Sequence, residues 1–448
     1  MLSVHDILKA TSGELLCRGS DSQIKGVSID SRNLAPGDLF IAIKGGKFDG
    51  HDFIHEALKK KAAAIVCSRR ILIKNTPIIK VKDTTKALGQ IANYYRKNFD
   101  IPVIAVTGSN GKTTTKDMIA WILSAKLSVL KNKGTKNNAI GLPLTLLELR
   151  PGHGICVLEV GTNHFGEVKD LTKIAEPNIG LIMNIGYSHL EFLKNLSGVY
   201  KEKSCLIKGL INPAIGILNI DDNFFKESKQ SFKGRFIINF GIKNKAELRA
   251  SGIKLSGKKI EFIVNGKHRI TLNTCGQQNV YNALAAIAVA RLFGLDYKTI
   301  GRRLKNFVFP EGRLRCVQKN KINFIDDTYN SNPLSLDCAL NALEGIAIKG
   351  RKIFVMGDML ELGGFAREFH QQAAERINRV CDCFIAVGEL AGITAKAVKE
   401  KRLDPDGVFI CACAKEARSL LLNKIIPAKD DMVLVKGSRR LAMEEVLR

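Results

Sequence analysis

The chain has 448 residues, which is enough for two to four domains, each with its own hydrophobic core. It is 45% hydrophobic and 25% charged, as in ordinary globular proteins, and it has no apolar run of about 18 residues, which argues against a membrane span. The net charge of +26 is spread over the whole chain and aromatic residues make up only 6%, so we expect neither a nucleic-acid partner nor a membrane partner.

Residues 1–84 predict an N-terminal domain of mixed α/β structure. Four short apolar segments favour strands: residues 24–29, 38–43, 64–67 and 77–81. Between them, residues 52–61 favour a helix.

The N-terminus and the cysteines indicate the compartment. The first residues lack the basic-then-apolar form of a signal peptide, and the eleven cysteines include no C-x-x-C pair, so we expect a cytoplasmic protein. The C-x-C pairs Cys381/Cys383 and Cys411/Cys413 are interpreted as small buried thiols on strands.

The most informative segment is residues 107–115, with the sequence Thr-Gly-Ser-Asn-Gly-Lys-Thr-Thr-Thr. An apolar run typical of a buried strand precedes it, and a helical pattern at residues 116–124 follows it. Backbone N–H groups, the helix N-terminus and Lys112 together favour phosphate, and the Thr113 hydroxyl is placed to hold Mg²⁺. Val106 stands where the standard loop has glycine, so this is the shorter G-x-x-G-K-T form. We therefore predict a nucleoside triphosphate site.

Residues 85–309 alternate strand and helix patterns, which predicts a parallel sheet with helices on both faces. The predicted strands are residues 103–107, 155–160, 179–185 and 215–219. The predicted helices include residues 84–98 and a helix that begins at residue 276 and stops at Gly294. Ligands bind at the carboxyl ends of parallel strands. Glu159 and His189 follow two of these strands, so we expect both near Thr113 as candidate Mg²⁺ ligands.

Residues 310–448 again predict an α/β domain. Its predicted strands are residues 322–325, 352–356, 384–387, 408–411 and 432–435. The chain is therefore expected to form three α/β domains, with boundaries near residues 84 and 309.

Several motifs occur in the order seen in the Mur ligases, the ATP-dependent amino-acid ligases of peptidoglycan precursor synthesis. Besides the phosphate loop, they lie at residues 30–32, 49–51, 159–163, 184–191, 279–282, 312–313, 326–333, 357–363 and 436–444. The last three resemble the members that add D-alanyl-D-alanine to UDP-N-acetylmuramoyl-tripeptide. The Asp-Tyr-Ala-His and Gly-Lys-Gly-His-Glu motifs of the ligases that add the third, diamino residue are not present.

The resemblance implies a UDP-substrate domain, a central P-loop ATPase domain and a C-terminal Rossmann-like domain. It also implies Mg²⁺ as cofactor, a lysine carbamylated by CO₂, and small-molecule substrates handled by a monomer. The carboxylate of the tripeptide would be activated as an acyl phosphate, which the amine of the dipeptide then attacks.

The resemblance also implies the site residues. The catalytic residues would be Lys112, His189, Lys203 and Arg313. ATP would contact Thr107, Gly108, Ser109, Asn110, Gly111, Lys112, Thr113, Thr114, Asn279, Asn282 and Arg313. The metal ligands would be Thr113, Glu159, His189 and carbamylated Lys203. Substrate contacts would be Ser31, Arg32, Asp49 and His51 for the UDP end, and Asn330, Asn332 and Asp358 in the third domain, where turn formation and helix capping are equally good explanations.

Some points stay open. Lys201 competes with Lys203 for carbamylation, Cys205 replaces a glutamate common in the family, and Gln278 replaces a histidine. Other hypotheses are a Mur-type or folate-type ligase with another substrate, a nucleic-acid-binding P-loop ATPase, and a silent family member. The sequence does not determine whether the third residue of the tripeptide is lysine or diaminopimelate.

Overall fold

The structure, a computed structural model, describes residues 2–19, 23–71, 73–401 and 405–448. Within these ranges, twenty β-strands form three sheets and fifteen α-helices pack against them. Each sheet is built from one continuous part of the chain.

The first sheet has five short strands in the order β1-β5-β4-β3-β2. They are β1 Glu14–Cys17, β2 Val27–Ser28, β3 Leu39–Ile41, β4 Ala64–Cys67 and β5 Ile78–Lys80. β1 runs antiparallel to β5, and the other neighbours are parallel. This is the predicted mixed arrangement, although residues 24–29 contribute a strand of only two residues.

The central sheet has nine strands in the order β14-β13-β12-β11-β10-β9-β6-β8-β7. They are β6 Val103–Thr107, β7 Val129–Lys131, β8 Ile155–Glu159, β9 Ile179–Ile182, β10 Ile215–Asn219, β11 Phe236–Gly241, β12 Leu248–Ser256, β13 Lys259–Val264 and β14 His268–Leu272. The strands from β7 to β12 are parallel, and β12, β13 and β14 pair antiparallel.

The third sheet has six strands in the order β15-β16-β20-β17-β18-β19. They are β15 Arg315–Lys319, β16 Ile322–Asp327, β17 Lys352–Gly357, β18 Cys383–Val387, β19 Val408–Cys411 and β20 Met432–Lys436. Only β15 is antiparallel to its neighbour in this sheet.

The α-helices lie between the strands. They are α1 Val4–Thr11, α2 Ile54–Lys59, α3 Thr84–Arg96, α4 Lys112–Leu123, α5 Gly141–Leu146, α6 Glu167–Ala175, α7 Leu190–Leu193, α8 Leu196–Lys208, α9 Ser228–Ser231, α10 Gln278–Leu292, α11 Tyr297–Lys305, α12 Pro333–Glu344, α13 Ala366–Val380, α14 Glu389–Lys401 and α15 Ala414–Leu420. None of the helices in the described ranges is both long and apolar enough to cross a bilayer.

The apolar run before the phosphate loop is buried on both faces of the central sheet. Ile104 and Val106 belong to the core that holds α4 and α10, whereas Val103 and Ala105 belong to the core that holds α3, α5 and α6. A strand covered by helices on both sides needs apolar residues at every position. This requirement explains why valine stands at position 106, where the standard loop would have glycine.

Hydrophobic clusters are continuous between the sheets. One cluster joins Ile7 of α1 to Leu88 of α3 and Val103 of β6. Another joins Val199 of α8 to Phe354 of β17 in the third sheet. The three parts therefore pack against one another, and this packing brings loops of the third part to the edge of the central sheet.

Seven of the described strands were not predicted: β1, β7, β11, β12, β13, β14 and β15. Most of these strands contain lysine, arginine or glutamate, so they form no continuous apolar run. In β12, fewer than half of the residues are buried. One available signal was Asn265-Gly266 between β13 and β14. Both residues have positive φ, at 50° and 70°, as a tight hairpin turn requires.

The predicted helices are present with shifted ends. The helix after the phosphate loop begins at Lys112, four residues early, and the helix predicted from residue 276 to Gly294 spans Gln278–Leu292. Residues 50–53 form a 3₁₀ turn, so α2 begins later than predicted.

The interpretation of the C-x-C cysteines as buried thiols on strands was wrong at two positions, Cys381 and Cys413. Cys383 and Cys411 are buried on β18 and β19, and Cys381 is buried at the end of α13. Cys413, however, is exposed before α15, because the chain has already left the sheet there.

Candidate active site

The phosphate loop connects β6 to α4 at the carboxyl edge of the central sheet. Gly111 has a φ of 82°, and a Cβ there would lie 2.5 Å from Asn282 Oδ1, so only glycine fits without displacing the amide. The Nζ atom of Lys112 donates to the carbonyl oxygen of Gly108 at 2.8 Å. Burial lowers the pKa of Lys112. The N-terminus of α4 and the desolvated Lys112 therefore lie side by side in the loop, as a phosphate site requires.

Ser109 and Asn110 are held by the loop that follows β9. Ser109 Oγ donates to Gly186 O at 3.0 Å, and the backbone N–H of Asn110 donates to Asn184 Oδ1 at 2.8 Å. Of the other predicted loop contacts, Thr107 and Thr114 are both buried. The conformation of the loop is therefore determined by protein contacts.

Thr113 and Glu159 are brought together as predicted. Thr113 Oγ1 donates to Glu159 Oε2 at 2.7 Å, and Asn137 Nδ2 donates to the other carboxylate oxygen at 2.7 Å. Both are buried, Thr113 in the first turn of α4 and Glu159 at the end of β8. A hydroxyl and a carboxylate are hard oxygen donors, so the pair fits Mg²⁺.

His189 lies on the same edge and meets a loop of the third domain. Its Nδ1 atom lies 2.7 Å from Glu361 Oε2, at ion-pair distance but without hydrogen-bond alignment. The contact with His189 lowers the pKa of the Glu361 carboxyl. Both residues have positive φ, at 53° and 63°, which is uncommon outside glycine and often marks functional sites.

The two lysines proposed for carbamylation differ sharply in exposure. Lys203 is 1% exposed on α8, whereas Lys201 faces solvent. Burial, together with the nearby charge of Lys112, lowers the pKa of Lys203 well below its usual value. Only Lys203 therefore has the desolvated amine that the modification requires.

A cavity of ≈540 Å³ extends from the phosphate loop to the third domain, and its walls include Glu159, His189 and Arg313. The Arg313 guanidinium lies 4.0 Å from the ring centroid of Tyr329. This stacking holds the cation in the cavity wall.

Asn279 and Asn282 also line the cavity, but their amides are already engaged. Asn279 Nδ2 donates to Cys275 O at 3.0 Å, and Asn282 Nδ2 donates to Asn279 Oδ1 at 3.0 Å. Their pairing with a base therefore stays a prediction. Gln278, which replaces the expected histidine, has a buried Nε2 with no partner within the described ranges and lines the same cavity.

Two asparagines bridge the central and third domains. Asn332 Nδ2 donates to Asn110 Oδ1 at 3.0 Å, and Asn110 Nδ2 donates back at 3.2 Å. Asn332 also caps α12, with Pro333 as the first helical residue. Asn330 lines the cavity, and its carbonyl oxygen accepts from Lys436 Nζ at 2.9 Å.

Asp358 was predicted to contact the substrate, but it does not lie in the cavity wall. Its carboxylate accepts a hydrogen bond from the backbone N–H of Ala391 at 2.7 Å, at the start of α14. Burial raises the pKa of this carboxyl. The observed role is helix capping, the alternative to substrate binding at this position.

The four predicted contacts in the first domain do not reach this cavity. Ser31 donates to Glu56, and Arg32, with a side chain 82% exposed, pairs with Asp30 at 2.8 Å. Asp49 Oδ1 lies 2.6 Å from His51 Nδ1. Any role for Ser31, Arg32, Asp49 or His51 must concern a distant part of the substrate.

Comparisons with known proteins agree along the whole chain. Models of the Mur ligase family catalytic domain, middle domain and glutamate ligase domain match residues 23–96, 106–290 and 312–439. The UDP-N-acetylmuramoyl-tripeptide–D-alanyl-D-alanine ligase of Buchnera aphidicola is 37% identical over 100% of this chain and 97% of its own length. The chain belongs to the Mur ligase family.

Solved structures give the same result. MurF from Acinetobacter baumannii aligns to this Mur ligase with a TM-score of 0.92 and 32% identity, covering 99% of this chain and 97% of its own. MurF from Thermotoga maritima, solved in complex with ADP, aligns with a TM-score of 0.83 and 28% identity over 95% and 96% of the two chains. The predicted three-domain α/β fold is confirmed.

Sequence reasoning missed three residues of this Mur ligase site. Asn137 holds Glu159, Tyr329 stacks on Arg313, and Glu361 meets His189. Tyr329 and Glu361 lie within the motifs at residues 326–333 and 357–363. Treating every polar or aromatic residue of these motifs as a candidate would have included both. No local signal indicated Asn137.

Proposed function

We propose that this Mur ligase joins D-alanyl-D-alanine to UDP-N-acetylmuramoyl-tripeptide and converts ATP to ADP and phosphate. The main support for the proposal is the 37% identity, over the whole chain, to the UDP-N-acetylmuramoyl-tripeptide–D-alanyl-D-alanine ligase of Buchnera aphidicola. The cavity supports it, because one wall is a phosphate loop and the other comes from the third domain.

The reaction requires phosphoryl transfer followed by amide formation. The terminal carboxylate of the tripeptide attacks the γ-phosphorus of ATP, which gives an acyl phosphate and ADP. Lys112 and Arg313 stabilise the negative charge on the transferring group, which is the main requirement for this chemistry. The amine of the dipeptide then attacks the acyl carbon, phosphate leaves, and the amine loses its proton.

Thr113, Glu159 and His189 would hold Mg²⁺, which supplies charge neutralisation of the phosphates. We further propose a carbamate on Lys203. The neutral amine attacks CO₂, forms an N–C bond and loses a proton, which replaces a cation with an anionic oxygen ligand. The burial of Lys203 and the lowered pKa of its amine support this proposal.

The third domain would position the dipeptide and exclude water from the acyl phosphate. Asn330 and the bridging Asn332 are the candidate contacts because both line the cavity. The first domain would hold the UDP end through Ser31, Arg32, Asp49 and His51. We also propose a cytoplasmic location for the reaction.

Measurement of ADP release tests the substrates directly. We expect turnover with ATP and the nucleotide tripeptide to require D-alanyl-D-alanine, and to stay at background with D-alanine or with nucleic acid. Turnover that is unchanged by the dipeptide would reject the substrate assignment, and stimulation by nucleic acid would favour a P-loop ATPase. No turnover in any arm would favour a silent family member.

A further inference from the structure

Two thiols from different domains face each other outside the candidate active site. The Sγ atoms of Cys275 and Cys316 lie 3.0 Å apart, and both cysteines are free. Cys275 lies between β14 and α10 of the central domain, and Cys316 lies on β15 of the third domain, opposite Ile325. A disulfide bond is about 2.05 Å long, so a small approach would bring the sulfurs to bonding distance.

Hydrogen bonds hold the Cys275 segment in place. Cys275 Sγ donates to Leu314 O at 3.4 Å, and Thr274 Oγ1 donates to the same oxygen at 3.4 Å. On the other side, Cys275 O accepts from Asn279 at 3.0 Å. The segment is therefore tied both to the third domain and to α10.

The two thiols differ in access to solvent. Cys275 is 2% exposed, whereas Cys316 is only partly buried and lines a second cavity of ≈540 Å³. Lys258, Lys259 and Arg315 line this second cavity as well. A small oxidant in the second cavity can thus reach Cys316 before Cys275.

The electrostatics indicate which sulfur reacts first. The contact with Cys275 lowers the pKa of Cys316 against the effect of burial, and the charge of Lys258 lowers it further. The pKa of Cys275 is raised, first by the contact with Cys316 and then by burial. Because the thiolate is the reactive form, Cys316 is the nucleophile.

We propose that Cys316 and Cys275 are a peroxide-reactive thiol pair that closes a disulfide between the central and third domains. The Cys316 thiolate attacks hydrogen peroxide; an S–O bond forms, the O–O bond breaks and hydroxide leaves. Cys275 then attacks the sulfenic sulfur; the S–S bond forms, the S–O bond breaks, and the departing hydroxide leaves as water with the Cys275 proton. In total, two thiols and one peroxide give one disulfide and two waters.

The link would join two walls of the first cavity. Cys275 is tied to α10, which carries Asn282, and Cys316 pairs with β16, which leads to Tyr329. A covalent bond there restricts any separation of the two domains that substrate entry or product release needs. We expect the linked protein to turn over several-fold more slowly and to recover with dithiothreitol.

Peptide mapping tests the pair independently of the ligase reaction. Reduced full-length protein is exposed to hydrogen peroxide, alkylated and digested without reductant. We expect a linked peptide containing Cys275 and Cys316 that dithiothreitol removes. Cys275→Ser should instead leave a sulfenic acid on Cys316 that dimedone traps.

Cys413→Ser is the matched control, because Cys413 is an exposed thiol away from both positions in sequence, and it should leave the link unchanged. Cys316→Ser should abolish the link. If Cys275 and Cys316 of the wild type remain alkylated at a peroxide dose that oxidises Cys413, the proposal is overturned, whatever the behaviour of the variants. A linked protein with unchanged turnover would refute the coupling to domain motion.

Discussion

At the residue scale, burial determines the chemistry of Lys112 and Lys203. Lys112 and Lys203 are each desolvated, and the charge of Lys112 disfavours a second ammonium at Lys203. Lys112 donates to loop carbonyl oxygens that favour its ammonium form. The pKa of Lys203 lies well below its usual value, so Lys203 is the lysine that is more readily neutral.

Replacement of Lys112 by alanine should reduce turnover by roughly 100-fold or more, because a preorganised cation at the transferring phosphate is lost. The exposed Lys169→Ala on α6 is the control and should leave turnover unchanged. Steady-state ADP release with all substrates measures both. Turnover of the Lys112 variant within a few-fold of wild type would contradict the role of this lysine.

If Lys203 carries the proposed carbamate, its replacement by alanine should likewise cost roughly 100-fold or more, since the proposed anionic metal ligand is removed. Lys201→Ala, on the same helix but exposed, should behave like wild type. A small carboxylate such as formate should restore part of the Lys203→Ala activity. Mass spectra taken with and without CO₂ should show the carbamate only when Lys203 is present. Near-wild-type activity of Lys203→Ala would eliminate the carbamate hypothesis.

At the scale of elements, the N-terminus of α12 has two functions. Asn332 caps the helix with Ser335 and also exchanges hydrogen bonds with Asn110 in the phosphate loop, 222 residues away. The start of this helix therefore responds to the position of the loop. Asp296 provides a comparison, because it caps α11 through Thr299 without contacting the site.

Asn332→Ala should lower the free energy of unfolding by about 1 kcal/mol through the lost cap. It should also raise KM for ATP several-fold, because the loop loses its partner. Asp296→Ala should lower the melting temperature but leave KM unchanged. Urea titrations and initial rates measure the two effects, and equal KM values for both variants would show that the bridge is only structural.

At the scale of the whole molecule, the site is completed by domain packing. Glu361 from the third domain reaches His189 at the edge of the central sheet, and a Cβ added at Gly363 would lie 3.3 Å from Glu191 Cα. Partners that orient a metal-binding histidine set the affinity of the site. The packing of the third domain and the metal site are thus expected to be coupled.

Glu361→Ala should raise the Mg²⁺ concentration needed for half-maximal turnover by about 10-fold, as for other partners of metal ligands. Glu368→Ala, an exposed glutamate on α13, is the control. Turnover measured over a Mg²⁺ titration provides the test. An unchanged Mg²⁺ requirement with a lower rate at every concentration would assign Glu361 to domain packing alone.

Most of the parallel strands could be predicted from the sequence, because a strand covered on both faces carries a continuous apolar run. The antiparallel strands β12 to β14 at one end of the central sheet could not, because their exposed faces carry polar side chains that break such a run. The meeting of Thr113 and Glu159 followed from the rule that strand ends share an edge. The capping role of Asp358 could not be predicted in this way, because it depends on where α14 begins.

The sequence by itself determined the phosphate loop, the family and the order of the domains, since these depend on local backbone chemistry and on motifs read along the chain. The tertiary structure alone decided that Lys203 is buried while Lys201 is exposed, and that Glu361 meets His189. It also brought Cys275 to Cys316. These are outcomes of packing between separate segments, and spacing along the chain carries no record of which side chains that packing brings into contact.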